Sequence, residues 1–531
     1  MTMSLIPSPK LSAKFLFISL LFCAVIVAQE NKPASAAPAQ APSQKGSSKG
    51  AVDAAHEKEA PARMSQQEAD DLFRSVDEIM RFVSQDTGLP LHNDIKKELI
   101  GRDAVQKYIE EKMAEDEDQK SMERSEVVLK KFGLLPHDFH LRPFLVQLLR
   151  EQIAAFYDSK KKTVFMLNWL TPESQKPIMA HELTHALQDQ TIDLEKWMDD
   201  ARKDSERATN PDNNEMDVDE ESSARSAVAE GQGMAAMIDY MLAPMGKSMK
   251  TAPQVVEMMK ASMESGDSSP LMTSAPLLLR ESLIFPYRDG LSFVQAVLNA
   301  GGVDRAFTTL LKDPPHNTHE VLVPQSYLKG EHMGTMRLPN IGKTLGKGFK
   351  QYDVGSIGQF DMVIMLKQFV GEKLAHELSP EWRGGIYFAA SKSIVNGKKV
   401  DKETVLDSTS DLSMLYVSKW SNEETAKRFA GIYTDSLRSK YSSLDPVPEE
   451  QGVFTSNEGR VQVEVHGDQV FVMEGFDSAT AAKLRTQVMN ASEVEQGKSM
   501  AGNLSLRTMR PVSAILGNAV IKKQLEAPTY W

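Results

Sequence analysis

Cysteine is almost absent: the 531 residues contain one, Cys23. A lone thiol excludes an intramolecular disulfide, and Cys23 lies in a leader segment expected to be removed. The mature chain is therefore expected to lack cysteine nucleophiles and thiolate metal sites as well. A basic excess is missing too. Lys and Arg number 61 against 73 Asp and Glu, a formal net charge of −12 at pH 7. That balance argues against general nucleic-acid binding, which needs cationic surface to neutralise phosphates. The chain also has no internal repeat. Its N-terminal apolar run, Phe15 to Ala28, is short. A helix of that length spans about 21 Å, less than the ~30 Å hydrocarbon core of a bilayer. Lys10 and Lys14 precede the run and Gln29-Glu30 end it. The pattern predicts a cleaved export signal over residues 1–28, not a stable transmembrane anchor, and hence a periplasmic or secreted protein. Phe22 is too bulky for Cys23 to be a lipoprotein processing site.

A chain with 41% hydrophobic and 25% charged residues and this length buries more than one ordinary core. Residues 29–63 are rich in Ala, Pro, Ser and Lys without apolar period, and read as a flexible tether. From Met64 the spacing of Leu72, Val76, Ile79, Met80 and Val83 is helical, and helical patterns continue from Leu99 to Phe132 and Pro143 to Ile153. Two β-prone runs, Ile153–Tyr157 and Thr163–Leu167, flank a polar turn and predict a hairpin. A helix is expected from about Ser174 to Gln190, with Pro177 in its first turn. The acidic stretch 196–222 reads as a solvated loop, and another helix as running from about Glu221 to Leu242. Residues 64–330 are taken as the main domain, 331–445 as a helical extension, and 446–531 as a small α/β unit holding a hairpin around His466-Gly467-Asp468. The fold class expected is α+β, dominated by helices.

Chemistry concentrates at His181-Glu182-Leu183-Thr184-His185. On a helix, histidines four apart project from one face within reach of one ion. Glu182 then sits beside the metal without binding it, where a carboxylate can take a proton from an activated water. His376-Glu377-Leu378 begins alike, but Pro380 stands where a second histidine is needed. A catalytic zinc site takes a third protein ligand and keeps one position open. The next histidine is His316, and Gln188 and Thr191 break the pattern that would continue to a third histidine on the same segment. A carboxylate from the following helix is the natural ligand. Glu230 is chosen, because it is a lone acid among small uncharged residues, Ala227 to Gly233, where burial would require a partner. Glu220 and Glu221 are alternatives, set in an acidic, solvent-facing neighbourhood. Gly231 and Gly233 permit close approach of the two helices.

This arrangement resembles the gluzincins, zinc metallopeptidases whose HExxH helix is completed by a glutamate on the next helix. The resemblance implies His181, His185 and Glu230 as Zn2+ ligands, Glu182 as general base, and a sheet edge before the active helix along which substrate backbone lies. Phe285-Pro286-Tyr287-Arg288-Asp289-Gly290 is similar to the Pro-Tyr-x-x-Gly segment of the aminopeptidase-type members, which implies that Tyr287 donates a hydrogen bond to the developing oxyanion. The span from about Gly133 to Leu437 also resembles an uncharacterised family of exported bacterial zinc metallopeptidases. The matching pieces include Phe156-Tyr157-Asp158, Ala229-Glu230-Gly231 and Pro314-Pro315-His316-Asn317-Thr318-His319-Glu320. Met234 occupies the position where thermolysin-like members carry an aspartate behind the metal, and Asp189 is a substitute for that orienting group. The motif that grips a substrate N-terminus is not recognisable.

The expected activity is peptide-bond hydrolysis on a peptide or protein substrate. The rival is a zinc-retaining but inactive envelope binding or assembly protein. Met234, Met237, Met241 and Met245 lie at helical spacing and read as adaptable core. His316 and His319 read as solvated loop residues.

Overall fold

The computed structural model describes residues 17–20, 64–112, 116–208, 220–264 and 270–498, apart from 332, 334, 335, 337, 340, 402 and 403. The expected tether and the cleavage point at Ala28 lie outside these residues. The fold is α+β, as expected.

Helix α1 (Gln66–Thr87) opens with a reciprocal cap between Ser65 and Glu68 and closes at Gly88, whose φ of 71° suits glycine. Its buried stripe contains Leu72, Val76, Ile79, Met80 and Val83. Strand β2 (Lys96–Ile100) follows, then α2 (Arg102–Lys112), α3 (Asp116–Phe132) and α4 (Leu141–Gln152). The predicted hairpin is present as β3 (Ile153–Asp158) and β4 (Thr163–Leu167). The helical reading from Leu99 is corrected at its start, because Lys96–Ile100 pairs in parallel with β4. Strand β1 (Phe17–Leu20), inside the expected export signal, pairs antiparallel with β3. The sheet order is β1-β3-β4-β2.

The hairpin feeds α5 (Pro172–Ile192), capped by Thr171; Pro177 therefore falls in its second turn, not its first. Helix α6 (Leu194–Ala208) replaces much of the loop expected over 196–222. The apolar stripe overlooked there is Leu194, Trp197, Met198 and Ala201, all buried. Helix α7 (Glu221–Leu242) has the predicted span. After α8 (Pro253–Glu264) and α9 (Pro270–Ser274), α10 (Leu277–Asp304) runs to a kink at Gly302, φ 77°, and passes into a π-helical turn over Arg305–Thr309. The short helices α11 (Leu310–Lys312), α12 (Thr318–Leu322), α13 (Pro324–Lys329) and α14 (Ile341–Leu345) complete this half.

The remainder is built on a seven-stranded antiparallel sheet in the order β10-β11-β12-β13-β9-β6-β5. Its strands are β5 (Phe349–Ser356), β6 (Trp382–Lys392), β9 (Leu412–Trp420), β10 (Leu444–Pro446), β11 (Val453–Ser456), β12 (Gly459–His466) and β13 (Gln469–Glu474), with a small hairpin of β7 (Ile394–Val395) and β8 (Lys398–Lys399) apart from them. Helices α15 (Gln359–Val370), α16 (Glu372–Leu378), α17 (Glu423–Lys440) and α18 (Ser478–Lys498) lie between and after the strands.

Two expectations fail here. The segment 331–445 is not a helical extension, and no boundary falls at 445/446, because β13 pairs directly with β9 along Glu474↔Met414 to Gln469↔Lys419. The cause is burial on both faces. Tyr387, Met414, Tyr416, Val470 and Val472 point into one apolar cluster. Phe388, Leu415, Val417, Phe471 and Met473 point into the other, closed by residues of α14 and α18. Strands covered on both sides lose the alternating pattern that marks a strand in sequence.

Candidate metal centre

Helix α5 is packed by α7, α1 and β3, so residues from Ile178 to Asp189 are buried all round it. His181 and His185 extend from the side facing α7, their rings edge to face with centroids 4.7 Å apart. Their Nε2 atoms are 3.0 Å apart. Glu230, from the middle of α7, brings Oε2 to 3.0 Å from His181 Nε2 and 3.4 Å from His185 Nε2. One donor atom from each of the three residues lies within 4.8 Å of the others, and all three side chains are buried. Each is an electron-rich atom, and their convergence in a dry interior calls for a positive centre. The group can hold a metal ion, and this donor set fits one.

The electrostatics agree. Burial opposes ionisation of Glu230, yet His185 and His181 hold its carboxyl down to about 2. Burial likewise pushes His185 down, but the Glu230 and Glu182 carboxylates outweigh it and raise the imidazole above its ordinary value.

Small residues make the approach possible. A Cβ on Gly233 would lie 2.7 Å from Cε1 and Nδ1 of the His181 ring. One on Gly231 would overlap the Gly290 carbonyl of α10, and one on Gly290 would overlap the Ala227 carbonyl of α7. The α7–α10 crossing is thus glycine against backbone, directly beside the metal helix.

Glu182 is fully buried, and its Oε2 accepts the Tyr157 N–H of β3 at 2.9 Å. Strand β3, an inner strand of its sheet rather than the edge expected before the active helix, therefore positions the carboxylate next to the first histidine. Tyr287, one turn before Gly290, stacks on His181 with centroids 6.1 Å apart. All five sequence-chosen residues meet in one region. Asp189 does not orient a histidine. Its Oδ2 accepts the Tyr157 hydroxyl at 2.7 Å and Lys162 Nζ at 2.6 Å, and its Oδ1 accepts the Leu194 N–H at 3.1 Å. Sequence reasoning missed the residue behind His185, Gln188, whose Oε1 lies 2.8 Å from His185 Nδ1.

The alternative acids lie elsewhere. Glu220 is buried, not solvent-facing, and accepts the Thr318 hydroxyl at 2.5 Å, while Glu221 pairs with Arg225. Thr318 also accepts the Phe360 N–H at 3.2 Å, so the Pro-Pro-His-Asn-Thr-His-Glu segment ties α7 to α15. His316 is exposed, but His319 is half-buried and hydrogen-bonded to Gln359. Met234 and Met237 are core, whereas Met245 is exposed.

A family model described as a domain of unknown function (DUF8575) matches residues 348–485. That span covers the seven-stranded sheet from β5 into α18 and contains none of the metal-site residues. No curated protein and no solved structure matches the chain. Among the described residues, no helix is long and apolar enough to cross a membrane.

Proposed function

We propose that the chain is an exported zinc metallopeptidase of the gluzincin type, acting on peptide or protein substrates. The observation that carries this reading is the convergence of His181, His185 and Glu230 on one point, with the Glu182 carboxylate one residue from the first imidazole. Two imidazoles and one carboxylate suit zinc, and three protein ligands are what a catalytic zinc site provides while keeping a position open. When bound, zinc would supply Lewis acidity and lower the pKa of a water molecule. Glu182, held by the Tyr157 N–H, serves as the base that receives a proton and returns it to the leaving amine. Tyr287, stacked beside His181, supplies a phenolic donor for the carbonyl oxygen as it gains charge. The run from Lys10 to Glu30 supports export.

The test is metal analysis and casein hydrolysis on the parent, Glu182→Gln, His185→Ala and Glu230→Ala. The parent should carry about one zinc, and Glu182→Gln should keep it while kcat/KM falls by about 10²–10⁴-fold. The two ligand variants should lose zinc. Zinc retained in a folded Glu230→Ala removes the proposed ligand set. Equal activity in Glu182→Gln and parent removes the peptidase assignment in favour of a zinc-holding binding protein.

A further inference from the structure

Gln188 and Gln232 are both fully buried, and their hydrogen bonds run in one direction only. The Gln232 amide nitrogen lies 2.8 Å from the Ala306 carbonyl and 3.0 Å from the Phe307 carbonyl. Backbone carbonyls accept and never donate, so this end of Gln232 must be its NH2 and the other its oxygen. That oxygen lies 2.8 Å from Gln188 Nε2, which is also 3.1 Å from the Ala229 carbonyl. Gln188 is thereby fixed as well, with its own oxygen 2.8 Å from His185 Nδ1. A carbonyl oxygen can only accept, so Nδ1 must carry a hydrogen. Nε2 is then the nitrogen whose lone pair is available on the side of His181 and Glu230. Turning either amide over would set oxygen against oxygen at its carbonyl partners.

We infer that Gln188 and Gln232 form a directional amide relay, anchored on the carbonyls of Ala229, Ala306 and Phe307, that positions His185 with Nε2 ready for the metal. This rests on the proposed metal reading and adds positioning residues to it. The orienting group is a neutral amide rather than a carboxylate, so it fixes the ring while lending it less negative charge. The anchor at Ala306 and Phe307 lies in the π-helical turn Arg305–Thr309, so metal retention depends on a segment more than seventy residues from the nearest ligand in sequence.

The experiment measures zinc affinity of the full chain by competition with a chromophoric chelator, for Gln188→Leu, Gln232→Leu, the double variant and Gln188→Glu. Thermal melts of the metal-free forms report folding. Gln188→Leu should bind zinc about 10–100-fold more weakly. Gln232→Leu should lose less, and the double variant no more than Gln188→Leu, because Gln232 acts through Gln188. Gln188→Glu keeps an acceptor at Nδ1 but turns an oxygen toward Ala229 and Gln232. It should melt lower without metal yet bind zinc at least as tightly as the parent. If Gln188→Leu does not fold, this last variant decides: a tenfold loss of zinc affinity in it overturns the relay. Parental affinity in a folded Gln188→Leu, or additive losses in the double variant, also overturns it while leaving the metal site standing. A parent that binds no zinc overturns both.

Discussion

At the scale of single residues, the site is a question of what fits against an imidazole. Gly233 lies on α7 one turn beyond Glu230, and its missing side chain is the space the His181 ring occupies. A methyl there would stand 2.7 Å from ring atoms, well inside normal contact, and the ring would have to leave its place. Gly233→Ala should therefore cost zinc affinity by at least about tenfold while leaving the helix intact, since alanine favours helix over glycine by about 1 kcal/mol. Chelator competition and far-UV circular dichroism on the same sample check both halves; parental zinc affinity would show that His181 has room to spare. The candidate ligands were legible because only a few residue types hold a metal ion, and a fixed spacing places two of them on one helix face. Gln188 and Gln232 were not. Amides are common and neutral, and this pair meets across 44 positions of sequence, so nothing local marks them.

At the scale of elements, α7 and α10 explain why the Pro-Tyr-x-x-Gly segment matters. Its glycine, Gly290, abuts the Ala227 carbonyl, and Gly231 opposite abuts the Gly290 carbonyl. The close crossing leaves Tyr287, one turn earlier on α10, stacked against His181. Gly290→Ala should push the helices apart and destabilise the fold by about 1–3 kcal/mol, read as a lower urea midpoint, and should reduce the proposed hydrolysis beyond the stability loss by displacing Tyr287. Unchanged hydrolysis per folded molecule would detach the phenol from the reaction. Helices α5 and α7 were legible from the chemistry they carry. Strands β6 and β9 were hidden by burial on both faces. Helix α6 was hidden by the acidic residues outside its apolar stripe. In each case the local pattern was overridden by what the element packs against.

At the scale of the whole molecule, α3 joins the metal half to the sheet half. Phe132 sits edge-on to Tyr387 and Tyr416, with centroids at 5.2 and 5.6 Å. Beside it, Lys131 pairs with Glu458 at 2.8 Å, and Lys440 pairs with Glu474 at 2.6 Å. Tyr433 donates to Glu474 at 2.7 Å, and Tyr441 donates to it as well. Breaking such a buried pair from one side leaves the other charge stranded, so Lys440→Met should destabilise the protein by about 3–5 kcal/mol. The same geometry sets an acid limit. Burial alone would raise the Glu474 carboxyl, but the charges of Lys440 and Lys131 and the bonds from Lys440 and Tyr441 hold it below its ordinary value of 4.5. A carboxyl lowered on folding stabilises the native state in full above its unfolded pKa, and that contribution disappears as pH falls through the folded value. The parent's urea midpoint should therefore fall as pH is taken below 4.5. Glu474→Gln removes that titration and leaves Lys440 unpaired. It should start lower at pH 7 and decline less steeply with acid, so the two curves converge. Parallel curves from pH 7 to pH 3 would mean that acid unfolding is set by other carboxylates and that this pair is no more than a packed contact.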